Sequence, residues 1–207
     1  YLPARAKLAG SASMLPTLTR RIAERVDAPG AWRDQKPFFG ESGSAAAKRS
    51  LGTEAVLNAL TLSFAAPDAP LTERAFERLW EAQRPDGSWL WLDFDQEPWE
   101  ADNVDWGAAL AALAVANLPP AERTNEPAIA KLRGYLRARL ARGELTLHDQ
   151  LFLAWAVHEM GGAERWLTEA EWSATVALLR ARRHAGTWSL RALLHQPDAT
   201  DTDGYAT

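Results

Sequence analysis

From Thr53 onward, helices that are apolar nearly all round alternate with helices that are apolar on one side only. Such an alternation restricts the chain to two layers of helices, one enclosed and one facing water. The spacing predicts a first enclosed helix over 53–65, with Ala55, Val56, Leu57, Ala59, Leu60, Leu62 and Phe64 distributed around it. Pro67 and Pro70 stop it, because proline cannot continue the hydrogen-bond ladder. Thr72 is the expected N-cap of a one-sided helix over 73–83 that carries Ala75, Phe76, Leu79 and Trp80 on one face. A second enclosed helix is expected over 103–117 and ends at Pro119-Pro120. Its one-sided partner spans 126–142, with Ile129, Leu132, Leu136 and Leu140 in line among Lys131, Arg133, Arg137, Arg139 and Arg142. A third enclosed helix is predicted over 146–160, stopped by Gly161-Gly162. Thr168-Glu169-Ala170-Glu171 is a capping box opening the last one-sided helix, to about His184.

The enclosed helices begin near residues 53, 103 and 146, and the one-sided ones near 72, 126 and 168. A period of roughly 45–50 residues is that of a helical-hairpin repeat. Concentric inner and outer layers satisfy the pattern, and so does a flat solenoid of the HEAT type. The regions expected are 1–50, an N-terminal helical and loop segment, and 51–207, about three hairpins.

Composition removes several function classes. With 23 Lys and Arg against 27 Asp and Glu, the formal net charge is −4, which argues against nucleic acid as a partner held by bulk charge. Cysteine is absent, so this stretch holds no disulfide, thiolate metal site or cysteine nucleophile. No run approaches the roughly 18 apolar residues of a membrane span. The chain begins at Tyr1, and Asp201-Thr202-Asp203-Gly204-Tyr205-Ala206-Thr207 reads as the opening of another helix. A part of a longer protein is the expectation.

Ten tryptophans accompany 13 glycines, and three Gly-x-Trp triplets occur: Gly30-Ala31-Trp32, Gly87-Ser88-Trp89 and Gly186-Thr187-Trp188. Chance would give fewer than about one at ordinary mixing. The last two sit at the same point of the repeat, just after a one-sided helix. The fullest copy, Arg74 to Trp89 with Gln83, Gly87 and Trp89, resembles the QW repeat of the terpenoid cyclase and prenyltransferase superfamily. Arg78 stands where that pattern has an aromatic residue, and Arg182 where the Gly186 copy should have glutamine. The resemblance implies part of an (α/α)6 toroid, with inner apolar and outer amphipathic helices. It assigns Gln83, Gly87, Trp89, Gly186 and Trp188 as clasps between hairpins: a buried amide needs partners, and an indole can cover a helix end.

Squalene–hopene-type cyclases place an Asp-x-Asp-Asp acid motif before Thr-Ala at the start of an inner helix. The matching stretch here puts Asp201 on the first aspartate and Asp203 on the proton donor, while Gly204 replaces the third aspartate and Tyr205 the threonine. Protonating an alkene demands a finely tuned acid, and loss of one carboxylate removes part of that tuning. The simpler reading is that Asp201 and Asp203 cap the next helix. Trp91 to Asp102 forms a second acidic and aromatic stretch. Asp93 and Asp95 resemble the aspartate-rich motifs with which other terpenoid enzymes bind a divalent cation and a diphosphate, although no second such motif or basic diphosphate pocket accompanies them. Trp91, Trp99, Glu100, Asp102 and Trp106 are the candidate binding residues at one rim of the repeat. The four histidines show no metal-ligand spacing, and no metal is expected.

Gly52 to Leu60, Trp89 to Leu92, Glu97 to Ala101, Gly107 to Val115 and Asp203 to Thr207 further resemble a bacterial branch of cyclase-like toroid proteins. In that branch the toroid commonly follows a Cys-x-x-Cys-His haem attachment motif. The resemblance implies an exported, periplasmic protein with c-type haem in a preceding segment and no cofactor within these residues. The function expected is a non-catalytic toroid segment that binds a hydrophobic small molecule or docks with other subunits. The alternatives are a terpenoid cyclase using Asp203 as general acid, stabilising carbocations by cation–π attraction, and a plain helical-repeat interaction module.

Overall fold

Pro67, the Pro119-Pro120 pair and the Thr168 capping box cut the chain where the sequence predicts. A computed structural model describes residues 15–28, 45–92, 103–143, 147–159, 167–181 and 183. Their regular elements are α1 (Leu15–Asp27), α2 (Ala45–Ala65), α3 (Pro70–Glu81), α4 (Asn103–Asn117), a 3₁₀ turn (Pro120–Glu122), α5 (Glu126–Arg142), α6 (Leu147–Glu159) and α7 (Glu169–Ala181). No strand occurs among the described residues. The protein is an all-α helical-hairpin repeat.

Two helix starts differ clearly from expectation. Helix α2 starts at Ala45 and not at Thr53, because Ala45-Ala46-Ala47-Lys48-Arg49 is a run of strong helix formers ahead of the apolar stretch. Helix α3 starts at Pro70, with Ala69 at the cap position and no side-chain cap bond. Pro at the first turn has its φ preset and no N–H to satisfy. Thr72 therefore lies inside the helix, buried, and its hydroxyl donates to Ala66 O at 2.6 Å. The capping box read from the sequence at Thr168 is present, and α5 has an N-cap, Asn125, that the sequence reading did not single out. The Asn125 side chain accepts from Ala128 N. Thr168 and Glu171 exchange the reciprocal bonds of a capping box, at 2.6 and 3.3 Å.

Helices α2, α4 and α6 form one layer with α4 in the middle; α3 packs on α2, α5 on α4 and α7 on α6. Every residue of α4 from Gly107 to Ala116 is buried. Its alanines keep the helix surface low, so α2 and α6 approach closely on either side. The outer helices bury one face only, as Leu132 and Leu136 of α5 do. At the start of the array, α1 places Val26 against Leu62 and Ala75 and pairs Asp27 with Arg74 of α3 at 3.0 Å. Among the described residues, no helix is long and apolar enough to cross a membrane.

Candidate functional site

The connection from α3 to α4 contains the Gln83–Trp89 motif, whose polar groups close the end of α3 and reach α5. A helix ends with carbonyls that lack intrahelical partners. In α3, Arg78 O accepts from Ala82 N, Trp80 O accepts from Gln83 N, and Leu79 O accepts from the Trp89 indole Nε1 at 2.8 Å. Trp89 is fully buried, against Trp80 with ring centroids 6.3 Å apart. Gln83 Nε2 donates both to Gly87 O at 3.2 Å and to Ala128 O of α5 at 3.0 Å. Gly87 has φ +94°, and a Cβ there would overlap the Lys131 carbonyl of α5. The indole thus closes its own hairpin, while the glutamine and the glycine hold the turn against the next one. Asp86 braces that turn by accepting from Ser88 N and Oγ at 3.0 and 2.7 Å. Partial burial opposes ionisation of Asp86, but these bonds and Arg84 prevail and hold its carboxyl below the ordinary range.

Two residues further on, Trp91 meets Trp106 of α4, the ring centroids 5.5 Å apart. Trp91 is 7% exposed, and a Cβ on Gly107 would overlap its ring. The contact is possible because position 107 has no side chain. The backbone is fixed alongside, where Leu92 N donates to Thr53 Oγ1 of α2 at 2.7 Å. From Trp106 the aromatic contacts continue to Phe152 of α6 at 6.3 Å, to Trp155 at 6.2 Å and to Phe64 of α2 at 6.0 Å. The five rings cross all three inner helices. Trp155 is 39% exposed and Leu57 is 43% exposed, although both belong to the inner layer. Leu57 and Phe64 lie seven residues apart, on one face of α2.

Behind this band lies a buried polar anchor. Asp105, in the first turn of α4, is 1% exposed. It accepts from Tyr135 Oη at 2.5 Å, from Arg139 Nε at 2.9 and 3.0 Å and from Arg139 Nη2 at 2.5 Å. Tyr135 and Arg139 stand one turn apart on α5, and the carboxylate also lies at the positive end of α4. Burial, then the bond to Asp105, pushes the Tyr135 phenol well above its ordinary range. The arrangement fixes the inner helix against its outer partner.

Of the residues singled out from sequence, the structure brings together Trp91 and Trp106, and separately Gln83, Gly87 and Trp89. Asp93, Asp95, Trp99, Glu100, Asp102, Gly186, Trp188, Asp201 and Asp203 lie outside the described residues. Among the described residues, no group of three or more His, Asp or Glu side chains is placed to hold a metal ion. Sequence reasoning missed Phe64, Phe152 and Trp155 as members of one band, and Asp105 with its two partners. The available signals were bulky aromatic residues on helices otherwise rich in alanine, and a lone carboxylate entering an apolar helix. No family model, no curated protein and no solved structure matches this chain.

Proposed function

We propose that the chain is a cyclase-like toroid segment that binds a hydrophobic small molecule on its inner face without transforming it, as part of a larger, exported assembly. The observation that carries this reading is the inner aromatic band, with Leu57 and Trp155 accessible where an enclosed layer would otherwise cover them. Large apolar side chains left accessible on an inner layer are the kind of surface that a hydrophobic ligand covers. Phe64 and Trp155 come from the two flanking inner helices and meet across α4, which favours a layer curved toward that side. A linear polyisoprenoid is the ligand class such a surface suits: long, apolar, and able to lie along stacked rings.

The test is incubation of the full-length protein with squalene, followed by extraction and binding analysis. Squalene recovered unchanged, with binding weakened by Trp155→Ser and by Leu57→Ser, is the expected result. A cyclised product that disappears in Asp203→Asn would overturn the non-catalytic reading in favour of a cyclase. Absence of binding would leave the helical array as a protein-docking module.

A further inference from the structure

Glu54 and Asn58 stand one turn apart on α2 and are 7% and 8% exposed. With Leu51 and Ala55 they take the i, i+3, i+4 and i+7 positions of one stripe, which lines a cavity of about 200 Å³ between α1, α2 and α3. Ala55, with Ala75 and Ala82 from α3 and its C-cap, gives the cavity short-chained walls. Val26 of α1 closes one side, packed on Leu62 and Ala75. The buried hydroxyls of α2 are satisfied within the helix: Ser50, Thr53 and Ser63 donate to the carbonyls of Ala47, Arg49 and Leu60. Asn58 differs. Among the described residues its side-chain amide makes no hydrogen bond, although it is more than nine-tenths buried against the cavity. A buried polar group without a partner costs free energy, and Asn is also a weak helix former. Leucine would fill the position with neither penalty.

We propose that this cavity, on a different face of α2 from Leu57 and Phe64 and separate from the inner aromatic band, binds a small molecule bearing a primary amide. Asn58 offers a carbonyl acceptor and an NH₂ donor side by side. A ligand amide meets both at once, its C=O accepting from Nδ2 and one N–H donating to Oδ1. The second N–H of a primary amide has an acceptor in Glu54, because a carboxylate takes more than one donor. A carboxylate ligand would instead meet Glu54 as a like charge. The formal charges around the cavity cancel, Arg25 and Arg78 against Glu54 and Glu81, and Arg78 is bonded to Glu81 and to the Val26 carbonyl. Net charge therefore draws in neither a cation nor an anion, and the selection falls to the hydrogen bonds. An apolar cavity of about 150 Å³ accepts benzene, so this one holds a single ring with its amide and excludes a long polyisoprenoid.

Benzamide, N,N-dimethylbenzamide and benzoate share a ring and differ in the polar group. Titrated into the full chain and followed by asparagine side-chain NH₂ resonances, benzamide is expected to bind saturably and to shift the Asn58 pair. It should bind about tenfold more tightly than either analogue, since a site with buried polar groups rejects a ligand that leaves them unpaired. Asn58→Leu is similar in size and should bring benzamide down to the affinity of the dimethyl analogue without lowering Tm. Ala82→Leu narrows the cavity with Asn58 in place and should abolish binding, with helical content unchanged. Equal affinity for benzamide and its dimethyl analogue, no saturable binding, or undiminished binding in Asn58→Leu overturns the proposal. Tighter binding of benzoate overturns it in favour of an anion held by the guanidinium groups. Tighter binding of N-acetyl-glutamine methylamide than of benzamide overturns it in favour of a peptide side chain.

Discussion

Replacing Asp105 by Asn tests whether the inner and outer layers are locked by charge. The exchange preserves side-chain volume but puts an NH₂ donor where Asp105 now accepts from Tyr135 and Arg139. Breaking a buried ion pair by removing one partner typically costs about 3–5 kcal/mol. Arg139 keeps 23% of its side chain exposed, so part of its charge can be rehydrated and the lower end, about 3 kcal/mol, applies. Arg139→Met loses the same pair but leaves Asp105 bonded to Tyr135. The double variant removes both charges and is expected to recover about 2 kcal/mol relative to the sum of the singles, as interacting neighbours do. Urea unfolding followed by circular dichroism measures all four corners of the cycle. Additivity within about 0.5 kcal/mol would refute a coupled lock, since sites without shared partners behave that way.

Three further outcomes follow from the clasp and the caps. Gly87→Ala combines a left-handed backbone with overlap on the Lys131 carbonyl; a loss of about 3 kcal/mol is expected, read as a fall of roughly 6–12 °C in Tm. Trp89→Phe keeps a ring but leaves Leu79 O without its indole donor and a void beside Trp80, for an expected loss of about 2–3 kcal/mol in chemical denaturation. Glu171 is held below its ordinary range chiefly by the Thr168 backbone N–H; burial opposes this, and the Thr168 side chain and Arg137 add to the lowering. A lowered folded-state pKa means that the stabilisation is present above the unfolded pKa and is lost as pH falls through the folded one. The gap between the native chain and Glu171→Gln should therefore be about 1 kcal/mol at neutral pH, and close as pH drops below about 4.

The bounds of α4 and α5 were readable because local sequence marks them: Pro119-Pro120 follows one, and Ile129, Leu132, Leu136 and Leu140 trace the apolar stripe of the other. Gln83, Gly87 and Trp89 were readable for the same reason, since a turn and its clasp lie within a few residues. The start of α3 misled because Thr72 and Pro70 both signal a helix opening, and the preset φ of proline prevailed. Arg139 looked like one more solvated charge of α5. Nothing in its neighbours indicates that α4 brings a carboxylate to it, because that pairing spans 34 residues and depends on helix rotation. The aromatic band escaped sequence reading similarly: Phe64, Trp106 and Trp155 belong to three different hairpins, and only packing determines that their faces converge.

The central claim is that the inner layer is the face that binds the hydrophobic ligand. Photolabelling of the full-length protein with a diazirine-bearing squalene analogue, followed by peptide mapping, tests it most directly. Adducts at Leu57, Phe64 and Trp155, competed away by unlabelled squalene, are the predicted result. Competed adducts confined to α3, α5 or α7 would contradict it.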